Sequence, residues 1–186
     1  MYDGAGAPYS ERDEAHPVNV YGATKLAFEQ QMQQRLPTRS VALRMSLLLG
    51  PPAPRRSSKQ NSFLQDCDRM LGSGRPHDFF SDEFRSVVAV DDVLAVLLWA
   101  VDGGACAAPG VYNMGGPQRV SRVDVALAVA AHRGHPTDGV HGRPRPAPAP
   151  GAVRSPPDIA MDSRKLERAV GRSFRPLVQM LPSAFQ

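Results

Sequence analysis

Tyr21 and Lys25 stand four residues apart in Pro17-Val18-Asn19-Val20-Tyr21-Gly22-Ala23-Thr24-Lys25, a spacing that puts both side chains on one face of a helix. A phenol with its ordinary pKa near ~10 is a poor acid or base at neutral pH, and an ammonium held beside it favours the ionised form. The pair is therefore a candidate proton-transfer site, with Tyr21 as general acid and Lys25 as the group that tunes it. The plain alternative is a surface pair, since two residue types at one spacing make a weak pattern. Chance supplies roughly 0.06 such pairs in a 186-residue chain with four tyrosines and three lysines. Context strengthens the signal: Pro17 ahead of the helix, Asn19 as a candidate cap, three small residues inside the pair and a strand-like run at 40–49.

The elements that must position this pair follow from hydrophobic spacing. A helix is predicted over 21–36, stopped by Pro37, with Leu26, Phe28, Met32 and Leu36 facing inward. Residues 40–49 read as one continuous apolar strand interrupted in character by Arg44, as in a parallel sheet buried on both faces. A Pro/Arg/Ser loop over 51–58 is expected to be exposed, followed by a helix over 61–71 and an exposed turn over 79–90 feeding a strand. Asp91 and Asp92 could be paired catalytic carboxylates, but the apolar run 93–101 right behind them favours helix capping. A strand at 111–114 closes on Gly115-Gly116-Pro117. Ser121-Arg122-Val123-Asp124 then opens a helix with a capping box, Val125, Leu127, Ala128 and Val129 packing inward. Residues 134–157 hold seven of the 18 prolines, which excludes helix and central strand and predicts a long loop.

Composition narrows the class. With 42% hydrophobic and 22% charged residues, 186 residues can bury one globular core. The net charge of +4 comes from arginines that are scattered, without a basic stripe or interleaved aromatics, so nucleic acid is not the expected partner and an anionic small molecule is. Cys67 and Cys106 form no CxxC, and the five histidines are dispersed, so no metal site is expected. The longest apolar run, 93–101, falls far short of the ~20 residues of a membrane span. These features predict a cytoplasmic protein with no membrane partner, any transit peptide lying in upstream sequence.

Tyr2-Asp3-Gly4, Ser10-Glu11-Arg12-Asp13-Glu14, residues 17–25, Leu43-Arg44 and Leu49-Gly50-Pro51 resemble, in that order, the middle of the extended short-chain dehydrogenases/reductases. The resemblance is strongest to the dTDP-4-dehydrorhamnose reductase type with its RmlD-like substrate-binding domain, a group that includes the regulatory beta subunit of methionine adenosyltransferase. It implies an α/β fold: part of a Rossmann-type doubly wound parallel sheet with a small interleaved substrate-binding subdomain. Residues 1–50 and about 89–114 would form the Rossmann-type elements, and about 51–88 and 115–186 the subdomain, of a single partial domain.

The resemblance further implies NADPH or NADH as cofactor and a nucleotide sugar as substrate, reduced at a 4-keto group as in dTDP-rhamnose biosynthesis. Tyr21 and Lys25 would be catalytic and would also touch the cofactor, with Ser46 and Leu47 beside the nicotinamide. Asn61 and Arg85 would face substrate. For Arg85, in the segment 82–93, a guanidinium fork suits a diphosphate; an arginine in solvent or paired with Asp82 or Glu83 explains it equally, as capping explains Asn61. Two parts of the family's pattern have no counterpart: the glycine-rich cofactor turn, and the catalytic Ser/Thr expected a few residues before Tyr2. Met1 falls inside a predicted strand, so the chain reads as the C-terminal part of a reductase, inactive as it stands. The competing class is a non-catalytic regulatory subunit. A homo-oligomer or a partner enzyme is the expected assembly.

Overall fold

The computed structural model describes residues 1–52 and 62–186. Most of the expected 51–58 loop, and the candidate Asn61, lie outside the described residues. In chain order the elements are α1 (Val20–Arg35), β1 (Val41–Arg44), β2 (Leu47–Leu49), α2 (Phe63–Leu71), β3 (His77–Phe80), β4 (Phe84–Ala89) and α3 (Val90–Trp99). They continue with α4 (Ala105–Ala107), β5 (Gly110–Asn113), β6 (Arg119–Ser121), α5 (Arg122–Arg133), β7 (Val140–Arg143), β8 (Asp158–Ile159), α6 (Arg164–Val170) and α7 (Leu177–Ala184).

Several boundaries follow from local chemistry. Asn19 is extended and its side chain accepts a hydrogen bond from the Gly22 N–H at 2.8 Å, which starts α1. The Ser121/Asp124 capping box starts α5, and Gly134, at φ 72°, ends it in the left-handed conformation that costs glycine nothing.

The expected strand over 40–49 is two strands with different partners. β1 pairs in parallel with β5, Val41 opposite Gly110. β2 pairs in parallel with β4, Leu47 opposite Val87. The chain breaks between them at Met45-Ser46, where the Ser46 hydroxyl donates to the Ser86 carbonyl at 2.7 Å. β4 also carries β6 antiparallel and β8 parallel. The 79–90 segment is correspondingly less exposed than expected: Phe79 is buried in β3, and β4 is a central strand. Within 134–157 the proline-free β7 pairs with β3 alone, so that region contains an edge strand and not only loop.

Two apolar clusters result. The larger joins β2, β4 and β6 to α2, α5 and α7 through Leu49, Leu64, Val87, Val125, Met180 and Leu181. The smaller joins β5 and β1 to α3 and α6 through Val96, Tyr112, Leu166 and Phe174, with Val41 and Leu43 packed on it. Gly115-Gly116 serves this packing: a Cβ on Gly116 would meet the Arg175 and Val87 carbonyl oxygens at 2.7 and 2.8 Å.

Asp91 and Asp92 stand in the first turn of α3, where negative charge suits the helix N-terminus, but neither makes a capping hydrogen bond. Asp92 is fully buried, its carboxylate held by Arg172 Nη2 at 2.9 Å and Arg175 Nε at 3.2 Å, so it clamps the C-terminal segment to α3. The inward face predicted for α1 is also displaced. Leu26 and Met32 are half-buried, while Phe28 is 67% exposed and Leu36 sits at the surface. The residues α1 buries are Gly22 and Glu29.

Candidate functional site

Tyr21, Lys25 and Glu29 follow one another at intervals of four along α1, so the helix presents all three on one face. With Met1, Tyr2, Arg44 and Ser46 they line a cavity of about 440 Å³ between α1, β1 and the N-terminal segment. Lys25 Nζ lies 5.4 Å from the centre of the Tyr21 ring. The Tyr21 side chain is 72% exposed, and among the described residues its hydroxyl has no hydrogen-bond partner and the Lys25 ammonium no carboxylate partner. The phenol and ammonium are thus available to a ligand in the cavity.

The floor of the cavity is a buried polar network. Arg44 Nε and Nη2 donate to the two Glu29 carboxylate oxygens at 2.9 and 2.6 Å, a bidentate pair with both side chains about nine-tenths buried. Arg44 Nη1 donates to the Tyr2 hydroxyl at 2.6 Å, and that hydroxyl lies 3.0 Å from the Ser10 carbonyl and 3.1 Å from Asn113 Oδ1. Burial works against the Arg44 cation, but the Glu29 carboxylate more than offsets it and raises its pKa. Burial likewise pushes the Tyr2 phenol up, against the pull of Arg44. Tyr2 stacks on Tyr9 at 4.1 Å, and the Tyr9 hydroxyl donates to Asp3 at 2.6 Å, so the N-terminal segment is fixed over β5.

Of the residues singled out in the sequence, Tyr21, Lys25 and Ser46 come together at this cavity. Leu47 does not line it; its side chain packs against the larger core. Arg85 is elsewhere, 6% exposed in β4. It is not in solvent: Nη1 donates to the Phe84 carbonyl at 2.7 Å and the Pro157 carbonyl at 3.2 Å, and Nη2 lies 3.3 Å from Glu83. Burial lowers its pKa, with Arg122 and Arg145 adding to the effect against Glu83. A second cavity of about 440 Å³ lies beyond it, between Phe80, Asp82 and the proline-rich strap at Arg145-Pro146.

Glu29 was not singled out in the sequence, although the repeat Tyr21, Lys25, Glu29 was there to be read. Arg44, a lone charge in an apolar strand, was the second signal. The residues fit the nicotinamide end of a dinucleotide, since an ammonium and a phenol face one cavity. For the pyrophosphate end, the described glycine pair Gly115-Gly116 is spent on backbone packing and offers no anion cradle. Among the described residues no cluster of His, Cys, Asp or Glu is suited to a metal ion, and no helix is long and apolar enough to cross a membrane.

A family model described as the RmlD substrate binding domain matches residues 1–186. A dTDP-4-dehydrorhamnose reductase of Mycolicibacterium smegmatis is 31% identical over 148 residues, covering 77% of this chain and 42% of that protein. Among solved structures, dTDP-4-dehydrorhamnose reductase from Bacillus anthracis in complex with NADP superposes with a TM-score of 0.77 at 19% identity, over 97% of this chain and 60% of that one. MoeE5 in complex with UDP-glucuronic acid and NAD gives 0.70 at 23% identity, over 98% and 60%. The fold is thus that of Rossmann-type nucleotide-sugar enzymes, and the chain spans 42% of the length of the curated relative and 60% of each of the two solved structures.

Proposed function

The chain belongs to the RmlD substrate-binding domain family, and from that premise we propose that it supplies the proton-transfer helix and the sugar-nucleotide side of an NAD(P)H-dependent reductase acting on a 4-keto nucleotide sugar. The observation that carries the reading is the placing of Tyr21 and Lys25, unpaired among the described residues, on one helix face at the mouth of a cavity. Residues 1–50 and about 89–114 form its Rossmann-type part, and about 51–88 and 115–186 its substrate part.

The nicotinamide, when bound, supplies a hydride to the carbonyl carbon. Tyr21 donates its O–H proton to the carbonyl oxygen as the C–O π bond opens, so ketone, NAD(P)H and a proton become alcohol and NAD(P)⁺. Lys25 would hold the ribose hydroxyls of a bound cofactor and favour the phenolate left behind. Ser46 lines the same cavity, where it would stand beside a bound nicotinamide. Arg85, at the end of β4 nearest the proline-rich strap, serves the diphosphate side by holding Pro157 and Ser155 in place.

The experiment is an NMR titration of the chain with dTDP-rhamnose, the product-type nucleotide sugar. Saturable shifts centred on Tyr21, Lys25 and Ser46 are expected. A spectrum unmoved at millimolar ligand overturns the reading.

A further inference from the structure

Glu29 is the residue that ought to spoil this site. It stands four residues after Lys25 on the same helix face, a spacing within reach of a lysine–glutamate pair. A Lys25–Glu29 pair would draw the ammonium away from Tyr21 and neutralise it. That pair does not form. The carboxylate is turned toward β1 and both its oxygens are taken by Arg44, whose third donor is taken by Tyr2.

We propose that Arg44 is a positioning residue: by sequestering the Glu29 carboxylate it leaves the Lys25 charge to Tyr21. The proposal rests on the Tyr21/Lys25 reading above and adds a residue to it. The physical ground is that a buried carboxylate stripped of its partner must find another cation or be protonated. With Arg44 gone, the cations left to that carboxylate are the Lys25 ammonium, one turn back on the helix, and the Met1 ammonium, which lines the same cavity. The opposite change, loss of Glu29, leaves the Arg44 cation beside the cavity with only Tyr2 as partner, and so adds positive potential near Tyr21. Arg44 and Glu29 variants therefore act on Tyr21 in opposite directions, although both break the same salt bridge. A purely structural brace predicts the same direction for both.

Nitration by tetranitromethane consumes the phenolate, and its rate at Tyr21, read by peptide mass spectrometry at fixed pH on the folded 186-residue chain, reports that potential. Tyr9 and Tyr112 are 5% exposed or less, make no bond to Arg44 or Glu29 and serve as internal controls for unfolding. Arg44→Met is expected to slow Tyr21 nitration about threefold, the order of the effect of removing one unit charge some ~5 Å from the ring in water-like surroundings. Glu29→Gln is expected to raise the rate. The double variant Glu29→Gln/Arg44→Met, which leaves no unpaired buried charge and folds if the single Arg44 variant does not, is expected to return the wild-type rate. Slowing in both Glu29→Gln and the double variant overturns the proposal. Lys25→Met separates the two readings: if it does not slow nitration, the Tyr21/Lys25 assignment falls and Arg44's role with it. If Lys25→Met slows nitration and the double variant fails to match wild type, only the role of Arg44 falls.

Discussion

The core between β2, β4, β6 and helices α2, α5 and α7 closes on itself, whereas the flank made by α1 and β1 stays open. In the core Leu49, Leu64, Val87, Val125, Val129, Met180 and Leu181 are 2% exposed or less. On the flank Val20, Tyr21 and Phe28 are 67–82% exposed, β1 is paired on one edge only among the described residues, and all four of its residues are half-buried. α3 likewise leaves Leu94, Leu97 and Leu98 at the surface, and Val101 just after it is exposed too. The two regions are held by different physics. Apolar burial seals the first, and it is non-directional and resists access. A bidentate ion pair, Arg44–Glu29, ties α1 to β1 in the second, which fixes a helix in register while leaving its outer face free. Chemistry needs the second kind of place.

If that division is right, a change on the open flank should cost rate and not stability. Tyr21→Phe is expected to lower turnover by about 10²–10⁴-fold in a preparation that oxidises NADPH with a 4-keto nucleotide sugar, with the melting temperature unchanged. The phenol is exposed, so its hydroxyl contributes nothing to the fold. Steady-state kinetics beside a thermal melt decides it, and an unchanged rate returns Tyr21 to the surface.

Asp92 offers the converse test on the rim of the smaller cluster. Its carboxylate is fully buried and held by two partly exposed arginines, so Asp92→Ala removes the clamp and is expected to cost about 1.5–3 kcal/mol in urea unfolding. Tyr21 should be nitrated at the same rate as in wild type. Loss of stability together with a changed Tyr21 would mean that the flank and the clamp are one cooperative unit.

What could be read from the sequence was what local chemistry decides. The caps Asn19 and Ser121, the stop at Gly134 and the pairing of Tyr21 with Lys25 all depend on residues within one or two turns. What could not be read depends on partners far along the chain. The run 40–49 splits because β1 answers to residues 110–113 and β2 to residues 87–89, and neither partner is visible in the run itself. Asp92 looked like a cap because its arginines come some eighty residues later. Of the expected inward residues of α1, Leu26 and Met32 are half-buried while Phe28 and Leu36 are at the surface, and the buried charged residue is Glu29, because the strand beneath α1 presents Arg44.

A paired truncation sharpens the contrast between the regions. Leu64→Ala, in α2 and fully buried, is expected to cost about 2–5 kcal/mol through lost transfer energy and the cavity left behind. Phe28→Ala, in α1, removes a larger side chain yet is expected to stay within about 0.5 kcal/mol because its ring is already in water. Denaturant midpoints of the two variants measure the difference. A large loss for Phe28→Ala would show that α1 is covered in solution.

The smallest effect concerns pH at the edge of the closed core, where Asp68 at the end of α2 meets the end of α5. Burial pushes its carboxyl pKa up, but the hydrogen bonds from His135 at 2.7 Å and Arg133 at 3.0 Å more than reverse this, so the folded value lies below the ordinary one. A group with a depressed folded pKa contributes stability that is fully present above the unfolded value, near ~3.9 for aspartate, and lost as pH falls through the folded value. Asp68→Asn should therefore lower the melting temperature slightly at pH 7, by the equivalent of about 1 kcal/mol or less for a partly exposed pair. The gap between variant and wild type should close as the pH falls through that lowered folded value. A gap that stayed constant with pH would mean that Asp68 acts through the shape of its contacts and not through its charge, leaving the joint between α2 and α5 to the apolar packing of Leu64, Leu71, Ala126 and Val129 alone.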